Sequence, residues 1–130
     1  AKIVGTAVIG DYELLYKGSK TGSYLTIEKK KGSLVPVAVW EVTAADEHSL
    51  DIYEGYPNFY YKKNMKIRLS ETGKMIDAFV YLMTEERRLG IPTSAYVSTC
   101  KFGYTIFGFD FKYLDEAYEK SLKGVANNEK

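Results

Sequence analysis

The twelve residues Leu50 to Tyr61, LDIYEGYPNFYY, constrain this chain more than any other stretch. They read as the last turn of a short helix, a glycine stop, a turn and the start of a strand. Thr43 is placed to cap the helix, with Asp46 three residues on as an imperfect capping-box partner, and Ala44 and Ala45 open it. Gly55 suits the left-handed position that ends a helix, and Pro57 keeps it from resuming. Leu50 and Glu54 share a helix face, with Tyr53 beside them. Leu50 is the core-facing anchor of so short a helix, so Glu54 points toward the interior. There, burial and the negative end of the helix dipole both disfavour its charged form and raise its pKa. A carboxyl so tuned serves as a general acid or base near neutral pH. The competing reading is a solvated glutamate at a helix end, which spacing alone does not exclude.

The rest of the chain reads as strands first and helices last. Ile3, Val4, Val8 and Ile9 suggest extended, mostly buried chain. Gly10-Asp11 is a turn signal, Tyr12 to Tyr16 a short strand, and Lys17 to Gly22 a polar turn. Ser23 to Lys29 alternates, and Lys29-Lys30-Lys31-Gly32-Ser33 reads as a basic hairpin tip. Leu34 to Val42, nearly continuous in apolar and β-branched residues, reads as a central buried strand with Trp40 in the core. Phe59 to Leu69 alternates, with Met65, Ile67 and Leu69 on one face and Lys66 and Arg68 on the other. A loop at Ser70 to Lys74 returns the chain through Met75 to Met83. After a charged connection from Thr84 to Ile91, Pro92-Thr93-Ser94 opens a helix bearing Tyr96, Val97, Cys100 and Tyr104. A glycine-bearing turn at Phe107 to Asp110 leads to an amphipathic helix from Phe111 to Lys123, and residues 124–130 read as a flexible tail. The order implies a single α+β domain over residues 1–130. Its mixed, mostly antiparallel sheet is expected to curl into a barrel-like form with short helices around it.

Composition narrows the chemistry. A formal charge of +1 over 130 residues gives no electrostatic reason to expect nucleic acid or an anionic membrane as partner. The basic run at 29–31 has no wider basic face to support it. No run is long enough to span a membrane and no leader pattern is present. Cys100 is the single cysteine, which fits a reducing, cytoplasmic setting, and its helical neighbours mark it as structural rather than nucleophilic. His48 stands alone, with no cluster to make a metal site, and reads as an exposed helix residue. No nucleotide loop, dinucleotide fingerprint or serine-nucleophile elbow occurs. Chemistry must therefore run on a carboxylate, backbone amides and some of the 12 tyrosines.

Three stretches carry a family resemblance. They are Val35-Pro36-Val37-Ala38-Val39-Trp40-Glu41-Val42-Thr43, then Leu50-Asp51-Ile52-Tyr53-Glu54-Gly55-Tyr56-Pro57, then Tyr60-Tyr61-Lys62. With Ala78-Phe79-Val80-Tyr81, Pro92-Thr93-Ser94-Ala95-Tyr96 and Gly103-Tyr104 following in order, the chain resembles the gamma-glutamylcyclotransferase-like (AIG2-like) superfamily. The resemblance implies a small mixed barrel that needs no metal or organic cofactor. It makes Glu54, the glutamate of LDxxEG, the catalytic acid/base and Tyr96 a substrate contact. The substrate class implied is a small γ-glutamyl amine or γ-glutamyl amino acid, cyclised to 5-oxoproline. One family feature is missing: the N-terminal strand that leads into a Tyr-Gly-Ser-Asn type loop is not found, and Gly18-Ser19-Lys20 and Gly22-Ser23-Tyr24 do not replace that loop. Loss of that strand would leave an open sheet edge through which the chain could form a homo-oligomer. The alternative to an enzyme is a non-catalytic small-molecule-binding or interaction module on the same fold.

Overall fold

The computed structural model describes residues 1–19 and 22–128. Strands β1 (Lys2–Ser19) and β2 (Gly22–Glu41) form one long antiparallel hairpin, paired from Lys2↔Glu41 to Ser19↔Gly22. Of the turn expected at 17–22, Lys17 to Ser19 and Gly22 are instead paired strand, and residues 20 and 21 lie outside the described residues.

Two expected turns are instead irregularities within this hairpin. The register jumps from Gly10↔Leu34 to Tyr12↔Lys29, so Asp11 faces the basic run. Asp11 takes a positive φ of 60°, and its Oδ1 accepts a hydrogen bond from the Gly32 N–H at 3.0 Å. Gly10-Asp11 and 29–33 carry turn chemistry because they form the two sides of a bulge, which sharpens local twist without reversing the chain. Read locally, a bulge and a turn have the same signature.

Helix α1 (Ala44–Glu54) follows, then the hairpin β3 (Tyr60–Arg68) and β4 (Met75–Met83), paired from Tyr60↔Met83 to Arg68↔Met75. The alternation on β3 holds: Ile67 and the adjacent Leu69 are buried, while the Lys66 side chain is exposed. Within the expected charged connection, Arg88–Leu89 forms a two-residue strand, β5, pairing with Gly18 and Lys17 of β1. Helices α2 (Ser94–Phe107) and α3 (Lys112–Asn128) close the chain. Helix α3 runs past Lys123 into the stretch expected as a tail, and residues 129 and 130 lie outside the described residues.

The sheet does not close into a barrel. Its strands form two sheets, β2-β1-β5 and β3-β4. They join at an Ala7–Leu69 bridge, where the Ser70 N–H donates to Thr6 O at 2.8 Å, and where the Met83 N–H donates to Thr26 Oγ1 at 2.9 Å. Elsewhere β2 and β4 diverge, and an apolar cleft of about 560 Å³ lies between them, bordered by Val37, Val39, Leu50, Ile67, Ala78 and Val80. Closure fails because, among the described residues, β4 pairs only with β3 and β2 only with β1.

The same geometry corrects the reading of Leu34 to Val42 as a central buried strand with Trp40 in the core. Val35 and Val39 enter the core, but Leu34 and Trp40 are exposed on the other side. Trp40 packs edge-on against Phe107 at 6.2 Å, so it lies on the surface rather than in the core. Ala7, Ile9, Ile27, Val35, Val39, Ile67, Leu69 and Leu82 make the main core where the two sheets face each other. A second cluster, Tyr16, Leu114 and Ala117, seats α3 and the inner face of α2 against β1.

Candidate active site

Helix α1 is built as the sequence implies. The Asp46 N–H donates to Thr43 Oγ1 at 3.0 Å and the Thr43 N–H donates to Asp46 Oδ2 at 3.1 Å, completing the capping box. Gly55 takes φ 68° and ψ 34°, a conformation that a Cβ would strain. Its N–H and that of Tyr56 return to the Ile52 and Asp51 carbonyls, so the helix stops at Glu54.

A second set of contacts fastens this helix to the β3-β4 hairpin. Asp51, one turn before Glu54, accepts from the Tyr81 hydroxyl at 2.6 Å and from Lys62 Nζ at 3.0 Å. Lys62 also pairs with Glu47 at 2.5 Å and stands 4.6 Å from the centroid of the Tyr56 ring. The Tyr81 hydroxyl first, and Lys62 second, hold the Asp51 carboxyl below the usual range. Two polar groups on the hairpin thus set the rotation and height of the helix that ends in Glu54.

Glu54 is half-buried, and its pKa is raised by burial alone. It lines a cavity of about 620 Å³ with Tyr24, Leu25, Phe59, Tyr60, Tyr81 and Tyr96. Tyr96 comes from the first turn of α2, where its own N–H donates to the N-cap Thr93 Oγ1 at 3.2 Å. Its hydroxyl accepts from the Leu25 N–H at 3.1 Å, while the Tyr60 hydroxyl donates to Leu25 O at 2.9 Å. The backbone of one β2 residue thus holds two phenols in place. Burial raises the pKa of both phenols further above neutrality; the Tyr60 proton is committed to Leu25 O, while the Tyr96 hydroxyl only accepts from the Leu25 backbone. Tyr24 joins them, edge-on to Tyr96 at 5.2 Å and to Phe59 at 6.2 Å. The site is one carboxyl on an aromatic, hydroxyl-bearing wall.

The cavity brings together the two residues singled out in the sequence, Glu54 and Tyr96. Tyr24, Tyr60 and Tyr81 were not singled out individually. Their signal was the excess of tyrosine in strand-like stretches, where a buried ring needs a partner for its hydroxyl. Cys100 packs beside the second core cluster with its thiol pKa raised by burial, as befits a structural residue, and His48 is exposed. Among the described residues no cluster of metal-ligating side chains occurs, and no helix is long and apolar enough to cross a membrane.

A small α+β fold with a glutamate at a helix stop, facing tyrosines from strands and a second helix, defines a class that the comparisons identify. The family model for gamma-glutamyl cyclotransferase, AIG2-like, matches residues 1–98, and the chain belongs to that family. Its fold is similar to that of a solved gamma-glutamyl cyclotransferase at 25% identity and a TM-score of 0.77, covering 89% of this chain and 72% of that one. Human loc79017 is similar at 26% identity and the same TM-score, with the same coverage of 89% and 72%. YkqA from Bacillus subtilis shares the fold at 15% identity and a TM-score of 0.77, over 92% of this chain and 44% of its own. No curated protein matches the sequence.

Proposed function

We propose that this protein cyclises a γ-glutamyl amine or γ-glutamyl amino acid to 5-oxoproline, releasing the amine. The observation that carries the reading is Glu54. Its half-buried carboxyl has a raised pKa and opens into an aromatic cavity large enough for a γ-glutamyl chain. Family membership supports the same chemistry.

Glu54 acts as base on the substrate's α-ammonium. The freed amine attacks the γ-amide carbonyl of the same molecule, closing a five-membered ring as the bond to the leaving nitrogen breaks. The ring nitrogen gives up two protons in all and the leaving amine gains two, so Glu54 is regenerated and no water is consumed. Nucleophile and carbonyl are tethered, so holding the γ-glutamyl arm folded supplies much of the rate. The aromatic wall can impose that fold by shape. Tyr96, whose hydroxyl is oriented by the Leu25 N–H, contacts the substrate.

The test is 5-oxoproline release, followed by mass spectrometry, from γ-glutamyl amines and dipeptides, with the Glu54→Gln protein alongside. Product from the native protein alone supports the reading. No product from a folded native protein across the panel overturns it in favour of a binding module.

A further inference from the structure

The cavity is larger and more aromatic than a γ-glutamyl group requires. At about 620 Å³ it is of the size that takes a drug-like molecule, more than a five-carbon arm fills. The remaining volume falls to the leaving group, and the walls describe the group that fits it.

Those walls are apolar on every side. Apart from Glu54 and Gly55, each lining residue is aromatic or aliphatic. Tyr24 stands edge-on to Tyr96 at 5.2 Å and to Phe59 at 6.2 Å, and Phe59 meets Tyr60 at 5.1 Å. One further aromatic ring adds favourably to such a set. The Tyr60 and Tyr81 hydroxyls donate to Leu25 O and to Asp51, so these rings offer a ligand carbon rather than donors. At the end of α1, Ile52 and Tyr53 line the cavity while 70% and 84% exposed. Neither fills the core, and both carry the apolar wall out to the mouth.

Charge points the same way. Glu54 is the one charged residue of the lining. Lys62 is tied to Glu47 and Asp51, and Arg87 packs on the Phe59 ring without joining the lining. The glutamyl end brings an ammonium and a carboxylate on one carbon, and these offset each other. A carboxylate on the leaving group has no such counter-charge and would lose water beside an acid. Because the wall is apolar all round, this holds whichever way the glutamyl arm lies.

We infer that the site selects γ-glutamyl amides whose leaving amine carries an aromatic or bulky apolar group and no negative charge. The inference rests on the cyclisation reading for which part of the ligand is the leaving group.

Three compounds share a two-carbon stem on the leaving nitrogen, ending in hydrogen, phenyl or carboxylate. They are γ-glutamyl-ethylamine, γ-glutamyl-phenethylamine and γ-glutamyl-β-alanine, and their common α-carboxylate cancels in the comparison. Burying the phenyl ring should favour the phenethylamine compound over the ethylamine compound about ten- to hundredfold in kcat/KM, mainly through KM. The β-alanine compound should fall below both. Tyr53→Ser, at an exposed side chain whose loss leaves the core intact, and Phe59→Ala probe the mouth and the wall. The phenyl preference should fall in at least one of them. Calorimetric binding of all three compounds to the Glu54→Gln protein is read in parallel, so preference is measured even without turnover. Preferential binding of the phenethylamine compound with no native turnover would sink the cyclisation but keep the selectivity. Four results would overturn the inference: equal handling of the phenyl and hydrogen compounds, a carboxylate compound handled as well as the ethylamine, no binding of any, or an unchanged phenyl preference in every variant that folds.

Discussion

Replacing Glu54 by glutamine is the sharpest perturbation available, because it preserves shape and removes only the transferable proton. The carboxyl sits at the last residue of α1, and burial alone shifts its pKa, so the substitution should not release a structural tie. Loss of a general acid/base typically lowers rate by about 10²–10⁴-fold. At 1.36 kcal/mol per decade, that is about 3–5 kcal/mol of transition-state stabilisation. Stability should move the other way. A carboxyl with a raised pKa in the folded state is more easily protonated there than in the unfolded chain. Its contribution is therefore favourable at low pH and is lost as pH rises through the raised folded pKa. Above that range the glutamine protein should melt at the same temperature as the native protein or slightly higher. The activity profile gives a second signature. Native kcat/KM should climb with pH as Glu54 ionises, and any residual activity of the variant should lack that limb. Mass-spectrometric 5-oxoproline release and thermal melts across pH make the comparison. Turnover within about tenfold of native in a folded glutamine protein would remove Glu54 from proton transfer.

Three further predictions follow from contacts around the site and core. Tyr96→Phe leaves the Leu25 N–H without its acceptor, which should cost about 1–3 kcal/mol in denaturant melts and raise KM. Asp51→Asn weakens the tie to Tyr81 and Lys62. The lowered pKa of Asp51 means its stabilisation is present above the unfolded carboxylate range and lost as pH falls, so the variant's stability should vary less with acid, measured by melts from neutral pH downward. Leu114→Ala, at a residue 1% exposed between α3 and β1, should cost about 2–5 kcal/mol of folding stability by chemical denaturation.

The local features of the site were legible in the sequence because their causes are local. A capping box, an αL glycine and a proline are decided within a few residues, so α1, its stop and the position of Glu54 could be read directly. The β3 alternation and the helix opening at Pro92-Thr93-Ser94 before Tyr96 belong to the same kind. Their meeting was expected only through the family resemblance, since 42 residues separate Glu54 from Tyr96. Gly10-Asp11 and 29–33 were misread because turn chemistry does not distinguish chain reversal from a bulge, and pairing with a distant strand decides which occurs.

By itself, the sequence determined the α+β class, the ends of α1, the β3-β4 hairpin, the two closing helices and the absence of nucleotide or metal motifs, since each follows from residue type and short-range spacing. Only the tertiary structure decided which face of β2 is buried, that the sheet stays open between β2 and β4, and which tyrosines turn toward Glu54. Those outcomes depend on which strand edges find partners across the chain, and the energy of such pairings lies in contacts that no local window of sequence contains.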